Sequence, residues 1–363
     1  MKFVYILITL AAFATSSSAQ WTMTNLNPAG ATFSLAYGVE GGQQVGRAGL
    51  GGIGRASLWS GTSASWVDLH PLGADGSYAY GVHSGQQVGL ADVGGIYHAS
   101  LWTGTAGSWV DLNPVGSTYS EASGLDGGQQ VGYADVAGLR RASLWSGTAG
   151  SWVDLHPAGA GNSYAYAVDG GQQVGVAVVN DNFRASLWSN TAASWVDLNP
   201  AGTISSQAYG VHDSRQVGYA QVDDEIHASL WSGSAASWMD LNPAGATHSI
   251  AYGVHRNQQV GYVTMGGLRH ASLWSGTATS RADLHTPLPA EFSSSIARSI
   301  TTDGINDYIV GSGFNTLTGR DEALLWTRPV PEPATIGILG LGLAFIARRF
   351  STRILRLGVN RRR

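Results

Sequence analysis

A 43-residue repeat organises the middle of this 363-residue chain. The tetrapeptide Ala-Ser-Leu-Trp recurs six times at that spacing without insertion or deletion, and a seventh copy, Ala-Leu-Leu-Trp, follows after 52 residues. The tryptophans of these copies are Trp59, Trp102, Trp145, Trp188, Trp231, Trp274 and Trp326. A fixed period of this length is typical of repeat architectures, so residues 20–329 are expected to form one domain rather than the two or three that chain length alone would allow.

Each repeat contains four short runs that are typical of β-strands. In the fourth repeat these runs cover residues 164–168, 173–179, 184–188 and 194–198, and turns rich in Gly, Asn and Asp separate them. Runs rich in Val, Tyr, Trp and Leu between such turns favour strands. Four strands within 43 residues match one blade of a β-propeller, for which the usual period is about 40–50 residues.

The two ends of the array predict that the propeller closes on itself. Asn25 lies 43 residues before Asp68, so the N-terminal segment aligns with the fourth strand of a repeat. The last repeat ends at Trp326 and supplies only three strands. Pairing the orphan strand with the incomplete repeat would remove the open sheet edges. The sequence therefore predicts an all-β, seven-bladed β-propeller closed by its N-terminal strand.

Residues that recur in every repeat are expected to serve geometry common to all blades. The tryptophans above are interpreted as packing between blades, with stacking on a ligand as the alternative. A recurring Asp precedes Leu and then His or Asn; it is interpreted as a hydrogen-bond acceptor for turn backbone, with acid–base chemistry as the alternative. These residues are Asp68, Asp111, Asp154, Asp197, Asp240 and Asp283.

The chain lacks the sequence signatures of the common catalytic and metal sites. It has no cysteine, no Gly-x-Ser-x-Gly and no His-Glu-x-x-His, and its histidines show no short metal-ligand spacing. No catalytic residue, cofactor or metal ion is therefore predicted.

Both termini carry sorting signals. Residues 1–19 have a basic start at Lys2, an apolar run and small residues before a predicted cleavage after Ala19, as in a secretory signal peptide. Near the other end, an apolar run at residues 334–347 and a basic tail at 350–363 suit a transient membrane anchor with its arginines on the cytoplasmic side. The residues that define this sorting signal are Val330, Pro331, Glu332, Pro333, Arg348 and Arg349.

This arrangement resembles the PEP-CTERM sorting tail of Gram-negative bacteria, here over residues 330–349. The resemblance implies recognition by an exosortase-type membrane protease, transient residence in the inner membrane and delivery to the cell envelope or extracellular surface. The repeat body resembles the HAF family of extracellular repeats at residues 98–102, 111–114, 208–211 and 216–218. That second resemblance implies an exported repeat domain and assigns no activity.

Charge separates the predicted domain from its terminal signals. Residues 20–329 hold 12 arginines, no lysine and 23 acidic residues, a formal charge of −11, whereas the whole chain carries −4. This balance disfavours nucleic acid or an anionic lipid surface as the partner of the ring.

These observations favour a binding or structural module of the cell envelope or matrix, without enzymatic activity. Variable segments between the second and third strands, such as residues 47–54 and 219–226, are candidate binding loops for an exopolysaccharide or an envelope protein. The alternative is a polysaccharide hydrolase or lyase with its site at the channel mouth. That alternative requires two carboxylates, or Tyr with His and Arg, to converge from unlike repeats. Glu121, Glu291 and Asp303 are its non-repeated acidic candidates.

Overall fold

Seven four-stranded antiparallel sheets follow one another around a ring, which confirms the predicted seven-bladed β-propeller. The computed structural model describes residues 20–330, and Trp21–Arg328 form one unit. The predicted signal peptide with its cleavage after Ala19, and every residue of the predicted sorting tail beyond Val330, lie outside the described residues.

The strands fall into four sets, from the channel outward. The innermost strands are β2 (Ser34–Glu40), β6 (Gly76–His83), β10 (Ser120–Asp126), β14 (Ser163–Asp169), β18 (Ser206–His212), β22 (His248–His255) and β26 (Phe292–Thr302). The second strands are β3 (Gln43–Leu50), β7 (Gln86–Val93), β11 (Gln129–Val136), β15 (Gln172–Val179), β19 (Arg215–Val222), β23 (Gln258–Met265) and β27 (Asn306–Asn315). The third strands are β4 (Ile53–Trp59), β8 (Ile96–Trp102), β12 (Leu139–Trp145), β16 (Asn182–Trp188), β20 (Glu225–Trp231), β24 (Leu268–Trp274) and β28 (Arg320–Pro329).

The outermost strands are short, and a 3-10 helix precedes each of them in blades 1 to 6. They are β5 (Val67–Asp68), β9 (Val110–Asp111), β13 (Val153–Asp154), β17 (Val196–Asp197), β21 (Met239–Asp240), β25 (Ala282–Asp283) and, in blade 7, β1 (Thr22–Asn25). The 3-10 helices are Ser63–Ser65, Ala106–Ser108, Ala149–Ser151, Ala192–Ser194, Ala235–Ser237 and Ala278–Ser280.

Tight hairpins connect the first three strands of a blade. In blade 1 the two central turn residues, Gly41 and Gly42, have φ of 56° and 77°, and Gly51 and Gly52 in the next turn have 64° and 85°. Two consecutive positive φ values define the type I′ turn, whose twist suits antiparallel strands and which favours Gly, Asn and Asp. Such turns therefore account for many of the 50 glycines of the chain.

The core of the molecule lies between neighbouring blades. Trp102 is fully buried with Ala79 and Val82 of its own blade and with Val45 and Leu58 of the preceding blade. The other repeated tryptophans occupy equivalent clusters, each with no exposed surface. Because each sheet is covered on both sides, the last four residues of a third strand are all buried.

The N-terminal strand closes the ring as predicted. β1 pairs antiparallel with β28, so that Met23 lies opposite Trp326. The Asn25 amide donates a 2.7 Å hydrogen bond to the carboxylate of Glu322, which is buried. Although burial alone would raise the pKa of Glu322, hydrogen bonds from its neighbours, including Arg320 and Asn25, lower it. The carboxylate is therefore anchored in its charged form.

Two sequence-based boundaries differ from the structure. The fourth strand of blade 4 spans two residues rather than 194–198, because residues 192–194 form a 3-10 helix and only Val196 and Asp197 join the ladder. The predicted variable segments are also mainly strand: of residues 47–54, only Gly51 and Gly52 lie between β3 and β4. Variation therefore falls on strand ends as well as on turns.

Candidate functional site

The innermost strands carry a β-bulge at the same position in all seven blades, and the bulged residues line the central channel. In blade 1 the register shifts between Ala36 and Gly38, which leaves Tyr37 unpaired. We call the seven bulged residues the tyrosine girdle; they are Tyr37, Tyr80, Ser123, Tyr166, Tyr209, Tyr252 and Arg298. The girdle surrounds a cavity of about 270 Å³.

Close backbone approach accompanies each bulge. A Cβ atom added to Gly89, on the strand opposite the bulge of blade 2, would lie 1.8 Å from the carbonyl oxygen of Tyr78. Only glycine permits this approach. The glycine of the repeated Gln-Val-Gly motif is therefore required by the bulge that presents the girdle residue.

The girdle opens on the face of the ring that carries the sequence variation. Antiparallel pairing places the start of an innermost strand beside the end of the second strand, as with Ser34 and Ala48. The turns between second and third strands and the links between blades therefore lie on this side, which we call the mouth face. The strand-one hairpins and the 3-10 helices lie on the opposite face.

Twelve of the 14 tyrosines lie in the channel or near its mouth. Neighbouring rings have centroid separations of 4.9–6.2 Å, the spacing of favourable aromatic pairs. Ring contacts run from Tyr97 around to Tyr262 and, separately, join Tyr37, Tyr78 and Tyr80. Burial raises the pKa of the five girdle tyrosines and of Tyr262, to about 12 for Tyr262, so these phenols remain protonated at neutral pH.

Glu121 and Arg298 stand at the two breaks in this aromatic surface. The Arg298 guanidinium carbon lies 5.2 Å from the ring centre of Tyr37 and 5.4 Å from that of Tyr252. On the other side, Ser123 replaces the girdle tyrosine of blade 3, and its hydroxyl donates a 3.1 Å hydrogen bond to Glu121. Among the described residues, Glu121 alone provides a carboxylate to the girdle cavity.

The surroundings of Glu121 favour its neutral form. Its Oε2 accepts hydrogen bonds from the hydroxyls of Tyr133 at 3.3 Å and Tyr119 at 3.4 Å. Burial raises the pKa of Glu121, and the three hydroxyl contacts offset part of that rise. This carboxyl can therefore bind a polar ligand group as acceptor or, when protonated, as donor.

The other acidic candidates lie elsewhere. Glu291 precedes β26 and its backbone carbonyl accepts a hydrogen bond from Thr316, whereas Asp303 follows β26 on the opposite face and caps the turn at Asn306. Neither residue lines the channel. The structure therefore does not bring the three non-repeated acids together.

The repeated aspartates bond backbone and a cross-strand partner. Asp68 Oδ1 accepts the backbone N–H of His70 at 2.9 Å, and its Oδ2 receives the Arg55 guanidinium at 2.8 Å. Equivalent turn contacts occur at all the other repeated aspartates, and the cross-strand partner of Oδ2 is either an Arg or a His. Within residues 20–330, no group of three His, Asp or Glu side chains has metal-binding geometry.

A second ring of titratable groups lies at the opposite end of the channel. It comprises Glu40, His83, Asp126, Asp169, His212 and His255 at the ends of the innermost strands. Several members accept a backbone N–H of the next blade, as Glu40 does from Ser84 at 2.9 Å and Asp169 from Asp213 at 3.0 Å. The sequence alone does not reveal these links, because they join residues 44 positions apart.

We expect this ring to make stability depend on pH. Burial, with His212 at a ring separation of 4.2 Å and Arg256 nearby, lowers the pKa of His255 to about 4, although Asp213 and Asp307 oppose that shift. Between pH 6.5 and 4 the unfolded chain binds a proton that the native state does not, so stability decreases as pH falls below 6.5. After allowance for solvent screening, acidification from pH 7 to 5 should cost about 1 kcal/mol at this site.

Thermal unfolding at pH 7 and pH 5 measures this effect. His255→Asn should lose less stability between the two pH values than the unchanged chain does. The remaining dependence includes contributions from His70, His156, His248 and His285, because burial also lowers the pKa of each. An identical pH dependence in both proteins would show that His255 does not contribute.

Comparisons with solved structures show the propeller fold. An oligogalacturonate lyase in complex with manganese is 10% identical, with 87% of this chain and 98% of that chain covered and a TM-score of 0.51. TolB from Acinetobacter baumannii is 11% identical, with 76% of each chain covered and a TM-score of 0.44. A putative TolB from Agrobacterium tumefaciens is 12% identical, with 67% of this chain and 86% of that chain covered and a TM-score of 0.43. A search of curated proteins finds no match.

The C-terminal residues match a family model. Residues 329–353 match the PEP-CTERM protein-sorting motif, which is generally processed by exosortase, a membrane protein. No helix within residues 20–330 is long and apolar enough to cross a membrane, and the predicted anchor at 334–347 lies outside that range. The chain therefore carries the sorting motif of an exported protein destined for the cell envelope.

Proposed function

We propose that this protein is a surface-sorted binding module whose ligand site is the tyrosine-lined channel mouth, and that its ligand is an extracellular polysaccharide. One observation carries the proposal: twelve tyrosines converge on the face where the blades differ most in sequence. Flat aromatic faces with polar edges suit sugar rings, which present apolar faces and hydroxyl rims. A rigid ring that bears variable segments is a common way to present a binding surface.

The channel chemistry supports binding over catalysis. Glycoside hydrolysis ordinarily uses two carboxylates about 5–10 Å apart, and the girdle cavity contains Glu121 alone among the described residues. His248, Tyr262 and Arg269 of blade 6 do gather at the mouth, which gives the lyase alternative one Tyr, His and Arg cluster, although from a single repeat rather than from unlike repeats. However, burial raises the pKa of Tyr262 to about 12, which makes the phenol a poor base at neutral pH.

Processing at both ends belongs to the same proposal. Cleavage after Ala19 and exosortase cleavage within residues 330–333 would release residues 20–329, a segment that contains every strand of the ring. The resemblance of the repeats to the HAF family supports an extracellular role. The intact mass of the protein recovered from the cell surface tests both cleavages, and an uncleaved C-terminal tail would contradict this part of the proposal.

Substitution of one girdle tyrosine tests the binding site. Tyr209→Ser copies the residue that blade 3 already has at Ser123, so the backbone geometry is retained. On an array of extracellular polysaccharides, we expect the full chain to bind and Tyr209→Ser to weaken binding at least tenfold, about 1.4 kcal/mol. Tyr308→Ser, on the opposite face, should bind normally.

Two results would contradict this function. Absence of binding to every polymer, or equal binding by Tyr209→Ser and the unchanged chain, would rule out the channel mouth as a polysaccharide site. Release of reducing ends or of unsaturated products during the same incubations would establish the enzymatic alternative.

A further inference from the structure

Three arginines near the channel mouth lack the partners that most other arginines have. Eight of the twelve arginines in residues 20–329 form an ion pair or side-chain hydrogen bond within the described structure. Arg47, Arg269 and Arg298 form none with any described residue, and each instead lies against an aromatic ring. Their charges are therefore unneutralised by the described part of the protein.

These arginines come from three adjacent blades, and each lies against tyrosines of the channel or its mouth. Arg47 of blade 1 lies 4.1 Å from the ring centre of Tyr78, and Arg269 of blade 6 lies 5.0 Å from that of Tyr262. Arg298 of blade 7 lies between them, against Tyr37 and Tyr252. Ring contacts join Tyr37 to Tyr80 and, in a separate cluster, Tyr252 to Tyr262, and Arg298 lies at the break between these two clusters.

The arginines also differ in depth. Arg269 is exposed at the rim, whereas Arg47 and Arg298 are half-buried. The Nε atoms of Arg47 and Arg298 are buried without a hydrogen-bond partner among the described residues. A guanidinium that rests on an aromatic face presents its N–H edge, which can bind a carboxylate with two parallel hydrogen bonds. The cations therefore lie at different depths, with Arg269 exposed at the mouth and Arg298 in the girdle.

The blades differ in the acidic residues that they carry near the second turn, on the mouth face. In blades 2 to 5 the segment around the second turn carries acids: Asp92, Asp135, Asp181, Asp223, Asp224 and Glu225. The corresponding segments of blades 6 and 1, residues 264–268 and 49–53, carry none. On blade 7 this face holds Asp321 and Glu291, besides the buried Glu322. The domain is acidic overall, but this sector of its mouth presents unpaired positive charge.

We propose that Arg47, Arg269 and Arg298 form a carboxylate-binding subsite, and that the polysaccharide bound at the mouth is rich in uronic acids. This inference rests on the proposed binding function and specifies its ligand class. The girdle cavity, about 270 Å³, is slightly below the range of roughly 300–1,000 Å³ for drug-sized ligands, so it suits one sugar ring while the polymer stays at the mouth. The net charge of −11 repels an acidic polymer, but salt screens this repulsion beyond about 8–10 Å. The guanidinium groups would contact a carboxylate directly, at distances shorter than that screening length.

Alginate, a polymer of uronic acids, and its propylene glycol ester, in which carboxylates are blocked, form a matched pair of probes. We expect the full chain to bind alginate at least tenfold more tightly than the ester in biolayer interferometry. Arg298→Gln and Arg47→Gln should each weaken alginate binding about tenfold and weaken ester binding much less, because the lost charge-assisted contact requires a free carboxylate. Arg256→Gln removes an arginine on the opposite face and should change neither affinity.

The outcomes separate this inference from the binding function itself. If Tyr209→Ser weakens both polymers while the arginine variants behave like the unchanged chain, the channel binds sugar but the carboxylate subsite is wrong. If Tyr209→Ser affects neither polymer, the proposed site itself is wrong. Equal affinity of the unchanged chain for alginate and its ester also overturns the inference. This comparison needs no variant, so it does not depend on whether the variants fold.

A salt titration of the unchanged chain tests the inference without substitution. Binding to alginate should weaken between about 0.05 and about 0.5 M sodium chloride, because salt screens exposed charge contacts. Binding to the ester should change little over the same range. Parallel salt curves for the two polymers would contradict a charge-based subsite.

Discussion

Trp102→Ala should lower the free energy of unfolding by about 3–5 kcal/mol, the usual cost of truncating a buried tryptophan. Trp102 has no exposed surface and packs against residues of two blades, so its removal leaves a cavity within an inter-blade core. Its indole Nε1 is buried and has no hydrogen-bond partner among the described residues. The loss of stability in Trp102→Ala therefore reflects lost packing rather than a broken hydrogen bond. Urea-induced unfolding, followed by tryptophan fluorescence, provides the measurement.

The second tryptophan of the same repeat offers a matched control. Trp109 is partly exposed, and its Nε1 donates a 2.9 Å hydrogen bond to Ser100. In blade 6 the equivalent residue is Arg281, whose Nε makes the same 2.9 Å contact to Ser272. Trp109→Arg should therefore cost less than about 1 kcal/mol, since blade 6 shows how an arginine is accommodated.

Equal losses in the two variants would contradict this account. They would mean that the inner tryptophans contribute no more than their partly exposed counterparts. A loss below about 1 kcal/mol for Trp102→Ala would also mean that neighbouring blades relax into the cavity, which close packing ordinarily prevents.

Deletion of residues 20–27 should destabilise the whole ring rather than one blade. The deletion removes β1 and Leu26, which is fully buried and donates its backbone N–H to Ala323. Loss of the Leu26 side chain alone corresponds to about 2–5 kcal/mol. The deletion also exposes the edge of β28 and takes the Asn25 donor from the buried Glu322, so we expect a large fall in melting temperature and concentration-dependent aggregation.

A synthetic peptide of residues 20–30 tests whether the loss of stability comes from the missing closing strand. An added strand can pair with an open sheet edge, so the peptide should restore part of the lost melting temperature. Thr22→Val in the full chain keeps the strand and removes only the exposed side-chain bond to Thr327, and should change stability by less than about 0.5 kcal/mol. An unchanged melting temperature after the deletion would show that closure by β1 contributes little.

The repeat period made most of the architecture predictable. Because all complete copies are aligned without gaps, the position of Asn25 relative to Asp68 was enough to predict which strand closes the ring, and the structure pairs β1 with β28 accordingly. Strand ends were less predictable. The Ser-Trp-Val-Asp segment has strand-like composition, but its serine is the last residue of a 3-10 helix and only the Val and Asp pair with the third strand.

The candidate site was visible in the sequence only as separate irregularities. Ser123 stands where five repeats have Tyr, and Glu121 does not recur, yet nothing along the chain relates either residue to Arg298. The girdle tyrosines and the inner tryptophans repeat with the same period, so the period alone does not distinguish them. Repetition indicates that equivalent side chains share one kind of environment. It does not indicate whether those side chains face a neighbouring blade or the channel.

The sequence by itself determined the number of blades, their strand content and the closing strand, because these depend on period and on turn chemistry within each repeat. Only the tertiary structure decided which strand is innermost and which side chains share the channel. The physical reason is that a bulge at one position turns seven side chains toward a common axis, and their mutual distances depend on ring closure rather than on chain separation. Arg47, Arg269 and Arg298 are 251 residues apart at their extremes, and closure brings them to adjacent blades.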